Sequence, residues 1–271
     1  KRVDDYVDDP FYLGAVCGPF ANRIAAGCIN KESNRFELSC NDGINHLHGG
    51  FNGLDNQTWR LLARTENSVT FEYQHADGQD GYPGPMSFKA IYTLEGKCLT
   101  LSLSCQSETL SVLGPTGHAY FNLNGADSLV SGLDQYLQSD AKWMTPFNTQ
   151  GLPIGNEQRT HDSDLNFDQA RLLSSAPHLK KLDNNFVFEQ GKNRSKLEDV
   201  NKQLSLSVTS DYPAVQLYSG SFLDKPFSAN QGICVEPHFG ADSPNRVNNF
   251  DWLIRPGQIW QKTIEYQLSV N

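Results

Sequence analysis

The sequence predicts an all-β protein, an antiparallel sandwich or barrel built as one domain. Apolar and polar residues alternate with a period of two in several segments, turn-forming residues separate these segments, and helical periodicity is scarce. The chain has 271 residues, 22 of them glycine, and is long enough to bury a large core without disulfides or metals. We therefore expect a single domain over residues 1–271.

Six segments carry the strand pattern most clearly, because their apolar residues would all point to one face of a sheet. In chain order they are "SVTFEYQ" (68–74), "FKAIYTL" (88–94), "LTLSLSCQ" (99–106), "QLSLSVTS" (203–210), "AVQLYSG" (214–220) and "TIEYQLSV" (263–270). Turns are predicted at "NDG" (41–43), "DGQDGYPGP" (77–85) and "EGK" (95–97). A short helical turn is predicted at 168–175, and the polar segment 190–202 is predicted to be a hairpin loop.

The composition argues against several partners. The net charge is −9, and the 22 lysines and arginines are scattered. Without a basic cluster to neutralise phosphates, we expect no binding to nucleic acid or to an anionic membrane. No apolar run is long enough to cross a bilayer. None of the six cysteines forms a CxxC pair, which indicates reduced thiols and favours a cytoplasmic location.

The segment "INHLHGG" (44–50) places two of the seven histidines beside two glycines. In a strand, His46 and His48 would face the same side and could share a metal ion. However, no third ligand lies at a suitable spacing, and HExxH and cysteine clusters are absent. We therefore predict no metal site. GxSxG, GxGxxG and the P-loop are absent too, so a serine nucleophile and a nucleotide cofactor have no support.

General acid–base chemistry on a polar ligand remains. "GPFANRI" (18–24) contains Asn22 and Arg23, "PTGHAYFNLNG" (115–125) contains His118, and "CVEPHFGADSPN" (234–245) contains Glu236. A carboxylate and an imidazole at the edge of a β-core suit proton transfer, and aromatic residues among polar ones suit a sugar. Taken separately, each residue also fits a structural role: His118 as a buried core group, and Glu236 and Arg23 as halves of ion pairs.

Taken together, these stretches resemble the galactose mutarotase (aldose 1-epimerase) family over almost the whole chain. The motifs, in the family's order, are "GPFANRIAAG", "NHLHGGFNGLDNQTW", "DGQDGYPG", "GHAYFNLNG", "LDNNFVF", "VQLYSGSF", "EPHFGADSPN" and "LIRPGQIWQKTIEYQ". The resemblance implies a large antiparallel β-sandwich, the galactose mutarotase-like supersandwich. It also implies an isomerase that interconverts the α and β anomers of free hexoses without any cofactor.

The resemblance also implies roles for individual residues. Glu236 would be the base that removes the proton of the anomeric hydroxyl, and His118 would be the acid that protonates the ring oxygen. His48 would form a hydrogen bond to the sugar near the ring oxygen, and Arg23 and Asp183 would bind other hydroxyls. Asn22 is also expected to take part in substrate binding. With ordinary pKa values of about 4.3 for Glu and about 6.5 for His, we expect an ionised Glu236 that favours a protonated His118 near neutrality.

The chain departs from the family pattern in a few places. Gly117 and Ala119 stand where the family has Asn and Ser, which is expected to loosen the surroundings of His118, and Trp143 stands where it commonly has Tyr. The chain also starts close to "NRI", as though the first strands of the family were lacking. The expected partner is a free hexose such as galactose or glucose, bound by a monomer or dimer. The alternatives are a hexose-6-phosphate 1-epimerase and a non-catalytic carbohydrate-binding β-sandwich.

Overall fold

A computed structural model describes residue 6 and residues 9–31, 33–125, 130–189, 193–248 and 250–271. Within these ranges the regular elements are β-strands and short 3₁₀ helices, and there is no α-helix. The 3₁₀ helices are Ala25–Gly27, Leu54–Asn56, Gln79–Gly81, Thr160–Asp162, Leu173–Ser175, Pro177–Lys181 and Ser243–Asn245. None of the helices in the described part of the chain has the length and apolar character needed to cross a membrane.

The strands of the first half are β1 (Val16–Cys17), β2 (Arg23–Ile24), β3 (Cys28–Lys31), β4 (Asn34–Glu37), β5 (His46–Leu47), β6 (Arg60–Arg64), β7 (Ser68–His75), β8 (Met86–Glu95), β9 (Cys98–Ser107), β10 (Ser111–Val112), β11 (Thr116–Gly117) and β12 (Tyr120–Phe121). Those of the second half are β13 (Gln135–Ser139), β14 (Trp143–Thr145), β15 (Gln158–Arg159), β16 (Arg171–Leu172), β17 (Asp183–Val187), β18 (Asn193–Asp199), β19 (Leu204–Ser210), β20 (Ala214–Tyr218), β21 (Ile233–His238), β22 (Leu253–Ile254) and β23 (Ile259–Val270).

Two large sheets dominate the molecule. The first has nine strands in the order β16-β13-β18-β19-β23-β9-β8-β7-β6, and the second has six in the order β12-β21-β20-β17-β14-β15. All neighbouring strands in both sheets are antiparallel. The strand pairs β1–β11, β2–β5, β3–β4 and β10–β22 form small separate sheets. The prediction of an all-β, antiparallel sandwich is therefore confirmed.

Side chains from both sheets meet in one hydrophobic core. Leu101 and Leu103 of β9 and Leu217 of β20 and Val235 of β21 all belong to it. In β9 the buried and exposed residues alternate, as expected for a strand with one face against the core. Each such buried aliphatic side chain contributes about 1.5–3 kcal/mol of hydrophobic free energy, which holds the two sheets together.

The six predicted strand segments coincide with β7, β8, β9, β19, β20 and the second part of β23. The predicted helical turn at 168–175 contains the short strand β16 and the 3₁₀ helix Leu173–Ser175. The prediction of a hairpin loop at 190–202 was wrong, because 193–199 form β18, paired with β13 and β19. One inward-facing residue of β18 is Ser195, whose hydroxyl lies 3.0 Å from that of Ser139. The buried face of β18 is therefore only partly apolar. Residues 190–192 lie outside the described residues.

Candidate active site

Three polar side chains lie next to one another on adjacent strands of the six-stranded sheet. Gln216 of β20 is directly opposite Glu236 of β21, and Gln216 Nε2 donates a 2.7 Å hydrogen bond to Oδ1 of Asp183 on β17. Facing residues on neighbouring strands point to the same side of a sheet, so this register gathers the three polar groups. They form one wall of a pocket.

His118 is held over this wall by the segment that joins β11 to β12. Its backbone N–H donates to Ala15 O at 2.9 Å, and its carbonyl accepts from Gly14 N at 3.0 Å. Its Nε2 lies 3.4 Å from Oε2 of Glu236, and the two side chains are 6% and 5% exposed. The predicted acid and base are therefore buried neighbours, although 118 positions separate them in the sequence.

Burial shifts both groups toward their neutral forms. It raises the pKa of Glu236 well above the ordinary value, to which the charge of Asp183 adds, and it lowers the pKa of His118 to about 4. Burial therefore moves both groups away from the ionised Glu236 and the protonated His118 that ordinary pKa values lead one to expect. The neutral pair and the ion pair contain the same number of protons and differ only by one proton transfer over 3.4 Å.

His48 follows β5 and leaves the strand with a left-handed backbone, φ 52°. Gly49 continues the turn at φ 101°, and a Cβ there would lie 1.7 Å from Gly18 O, so only glycine fits. The N–H of Asn22 donates to His48 Nδ1 at 3.3 Å. Because Nδ1 accepts, the proton of the neutral ring is on Nε2. Burial keeps His48 neutral by lowering its pKa well below the ordinary value.

His46 does not share this pocket. Its Nδ1 lies 2.7 Å from Ser39 O and its Nε2 lies 2.7 Å from the Tyr82 hydroxyl, so both ring nitrogens have partners elsewhere. The left-handed turn at His48 breaks the strand alternation that would have placed both imidazoles on one side. The two histidines of "INHLHGG" therefore have separate surroundings.

Arg23 also lines the pocket and the groove next to it. Its Nε donates to Asp42 Oδ2 at 2.7 Å, and the two side chains are 23% and 37% exposed. Asn22, the preceding residue, is buried and bonds through its Oδ1 to the Arg23 N–H at 2.8 Å. Burial raises the pKa of Asp183, and the Gln216 hydrogen bond and the charge of Arg23 oppose that shift.

All six residues proposed from the sequence line one cavity of about 140 Å³. Aromatic side chains complete its walls. The full lining is Pro10, Phe11, Tyr12, Asn22, Arg23, Leu47, His48, His118, Tyr120, Asp183, Gln216, Tyr218, Phe222 and Glu236. A wider groove of about 590 Å³ begins at Arg23, Asp183 and Phe222. The combination of aromatic surface and convergent polar groups is typical of a small-molecule site for a polar ring.

Two polar residues that contact Asp183 and His118, namely Gln216 and Cys234, were not proposed from the sequence. Gln216 stands in the quoted motif "VQLYSGSF", and a polar residue within the fully buried strand Ala214–Tyr218 was a signal that could have found it. Cys234 lies two residues before Glu236, and its Sγ is 3.7 Å from His118 Nδ1. Only the fold shows that these side chains meet His118 and Asp183.

The residues that depart from the family pattern have different surroundings. A Cβ on Gly117 would lie 3.0 Å from the hydroxyl of Tyr266, so that tyrosine occupies the space beside Gly117. Ala119 lines a separate cavity of about 250 Å³. Trp143 also lies outside the site, with the Arg159 guanidinium 4.1 Å from its ring centroid. That Gly117 and Ala119 loosen the surroundings of His118 stays a prediction.

Three buried side chains carry donor atoms that could bind a metal within 4.8 Å of one another: His118, Cys234 and Glu236. However, the thiol lies at Nδ1 of the imidazole and the carboxylate at Nε2. The two lone-pair directions of the ring diverge, so these contacts do not converge on one tetrahedral centre. The geometry suits proton transfer between His118 and Glu236 better than metal binding.

Comparison with known proteins agrees with the fold and with the family resemblance of the sequence. The family model described as aldose 1-epimerase matches residues 1–267. The galactose mutarotase of Bos taurus is 29% identical over 99% of this chain and 82% of its own length. The aldose 1-epimerase of Escherichia coli K12 is 28% identical over 97% of this chain and 81% of its own length. A solved structure, the GalM/aldose epimerase homologue from C. elegans, superposes with a TM-score of 0.91 at 26% identity and covers 100% of this chain and 86% of its own.

Proposed function

This chain belongs to the aldose 1-epimerase family, and on that premise we propose that it interconverts the α and β anomers of free hexoses such as galactose and glucose. The observation that carries the proposal is the buried pair of His118 Nε2 and Glu236 Oε2, 3.4 Å apart in the pocket. Mutarotation needs one group that accepts a proton and one that donates a proton, and no redox step. A coupled carboxyl and imidazole provide both.

In the first half of the reaction, ionised Glu236 removes the proton of the anomeric hydroxyl while protonated His118 gives a proton to the ring oxygen. The bond between the anomeric carbon and the ring oxygen breaks, and the open-chain aldehyde forms. Rotation about the bond between C1 and C2 presents the other face of the carbonyl. The same two groups then reverse their proton transfers, and the ring closes as the other anomer.

The other polar residues orient the sugar. His48 carries its proton on Nε2, because its Nδ1 accepts a hydrogen bond from the Asn22 N–H. Nε2–H can therefore donate a hydrogen bond to the sugar near the ring oxygen. Arg23 and Asp183 bind further hydroxyls, one as donor and the other as acceptor, and Gln216 supports Asp183. Asn22 contributes mainly through its backbone, which bonds His48. Bound hydroxyls also stabilise the ion-pair form of Glu236 and His118, which burial alone disfavours.

A hexose-6-phosphate 1-epimerase is the weaker candidate. Among the residues that the structure describes, Arg23 is the only lysine or arginine that lines the cavity, and it already pairs with Asp42. Asp183 and Glu236 line the same cavity, and carboxyl groups are not donors that bind a phosphate. Phosphate sites normally present several cationic or N–H donors.

The test is polarimetry on freshly dissolved α-D-galactose and α-D-glucose, with wild type, Glu236→Gln and the exposed control Glu95→Gln. We expect wild type and the control to speed the approach to equilibrium rotation, and Glu236→Gln to leave nearly the spontaneous rate. A folded wild type that binds hexose by calorimetry without changing the rate would indicate a non-catalytic module. Acceleration confined to hexose 6-phosphates would contradict the free-sugar proposal.

A further inference from the structure

The imidazole of His118 lies between two side chains of the same strand. Residues two apart on a strand face the same side, so Cys234 and Glu236 of β21 both reach it. Cys234 Sγ lies 3.7 Å from Nδ1, and Glu236 Oε2 lies 3.4 Å from Nε2. Cys234 and Glu236 therefore contact opposite nitrogens of the ring, and the backbone carbonyl of His118 itself is a further acceptor for the imidazole.

The Cys234 sulfur is a neutral thiol in this setting. Burial raises its pKa well above the ordinary value and the charge of Glu236 adds to this, while a side-chain hydrogen bond with Tyr120, whose own hydroxyl donates to the Phe11 carbonyl, opposes the shift. Tyr120 is the cross-strand neighbour of Cys234, and its ring lies 5.3 Å from that of His118. A neutral sulfur is a weak hydrogen-bond acceptor.

We propose that Cys234 is a positioning residue for His118: its sulfur accepts the hydrogen bond of Nδ1–H and thereby leaves Nε2 as the nitrogen that exchanges a proton with Glu236 and with the sugar. This inference rests on the proposed function. The partner of one ring nitrogen determines which tautomer a neutral histidine adopts. A protonated Glu236 donates to the lone pair on Nε2, which requires the ring proton to be on Nδ1, where the sulfur is.

The weakness of sulfur as an acceptor matters for the acid step. In the ion-pair form, His118 carries protons on both nitrogens, and Nδ1–H still donates to Cys234. A carboxylate in place of the Cys234 thiol would stabilise the imidazolium strongly, and the imidazolium would then give up its proton less readily. A thiol keeps the ring oriented but stabilises the charge little, so Nε2 gives its proton readily to the ring oxygen.

The first measurement is the ¹⁵N spectrum of the histidine side chains in the sugar-free protein, with the His118 signals identified by their loss in His118→Asn. We expect wild type to show a protonated Nδ1 and an unprotonated Nε2 at neutral pH. In Cys234→Ala, Nδ1–H loses its acceptor, and the signals should shift toward the Nε2–H tautomer. Cys105→Ala is the matched control, because Cys105 is also buried, packs in the hydrophobic core and donates a hydrogen bond to the Gln106 carbonyl.

The second measurement is the mutarotation rate of the same variants. Cys234→Ala should lower kcat about tenfold with little change in KM, and Cys105→Ala should behave as wild type. Cys234→Ser retains an acceptor and should recover most of the loss. A hydroxyl oxygen is a stronger acceptor than sulfur and stabilises the His118 imidazolium more. The acid limb of the kcat profile of Cys234→Ser should therefore lie at higher pH than that of wild type. The ionisable groups that surround His118, and that can therefore affect this pH profile, are Tyr12, His48, Tyr120, Cys234 and Glu236.

The outcomes are separable. An Nε2–H tautomer in wild type, or an unchanged tautomer in Cys234→Ala, would overturn the proposal even if kcat falls, since the loss would then be one of packing. An unchanged kcat in Cys234→Ala with a shifted tautomer would overturn the catalytic part. A wild type with the expected tautomer but without mutarotase activity would contradict the proposed function. The hydrogen bond between His118 and Cys234 would still be supported in that case.

Discussion

Nε2 of His118 lies 3.4 Å from Oε2 of Glu236, and both side chains are almost fully buried. At this distance the two groups compete for the same proton, so the protonation of one sets that of the other. We therefore expect the pair to act as a single proton-exchanging unit, so that the removal of either member should disable the other.

We first predict that His118→Ala and Glu236→Gln each lower kcat by roughly 10²–10⁴-fold, the usual worth of positioned proton transfer. The double variant should be only slightly slower than the slower single variant, because the two groups act as a unit. Hexose binding, measured by calorimetry, should be partly retained. If the losses in the double variant multiply, the two groups act independently and the shared-proton mechanism is wrong.

We next predict a bell-shaped pH profile for kcat/KM. Below the acid limb the pair holds two protons and Glu236 cannot accept one; above the alkaline limb it holds none and His118 cannot donate. The acid limb should lie near pH 4, because burial lowers the pKa of His118 to about 4, and the alkaline limb should lie above the ordinary glutamate range. Rates are corrected for spontaneous mutarotation at each pH. An acid midpoint near 6.5 would mean that His118 titrates as an ordinary imidazole.

A third prediction concerns the Arg23–Asp42 pair at the mouth of the pocket. Asp42→Asn removes the charge that orients Arg23 and should raise KM about fourfold with little effect on kcat, the scale of ~0.8 kcal/mol expected for a partly exposed pair. The matched control is Asp140→Asn, which breaks the exposed pair with Arg194 and should leave KM unchanged. An equal rise in KM in both variants would show a general charge effect instead.

A fourth prediction concerns acid stability. His75 is buried among Tyr73, Tyr82 and Phe88, and burial lowers its pKa to about 4. Between about pH 6.5 and 4 the unfolded chain binds a proton at this site and the folded protein does not, so stability is full above this range and falls as the pH decreases. From pH 7 to pH 5 the loss due to this group is about 2 kcal/mol.

Urea unfolding at the two pH values tests this prediction. His75→Phe should reduce the stability difference between pH 7 and pH 5 by about that amount. His161→Gln, a change at an exposed histidine, should leave the difference as in wild type. An unchanged difference in His75→Phe would show that His75 is not a source of the acid sensitivity.

The sequence by itself determined the fold class and most of the long strands. Alternation with period two is a local property, since each residue's side is set by its own strand, and β7, β8 and β9 could be read directly. β18 could not be predicted in this way, because one of its buried residues is the polar Ser195, whose hydroxyl forms a hydrogen bond with that of Ser139 on another strand. The motifs also led to the six candidate site residues, since a family resemblance depends on residue identity and order.

Only the tertiary structure decided how these residues act on one another. The distance between His118 and Glu236, and the directions in which burial moves their pKa values, depend on strands that are far apart in the chain. Gln216 and Cys234 became part of the site only through cross-strand register and side-chain contact. Proton affinity is set by desolvation and neighbouring charge, and both arise only when the chain is folded.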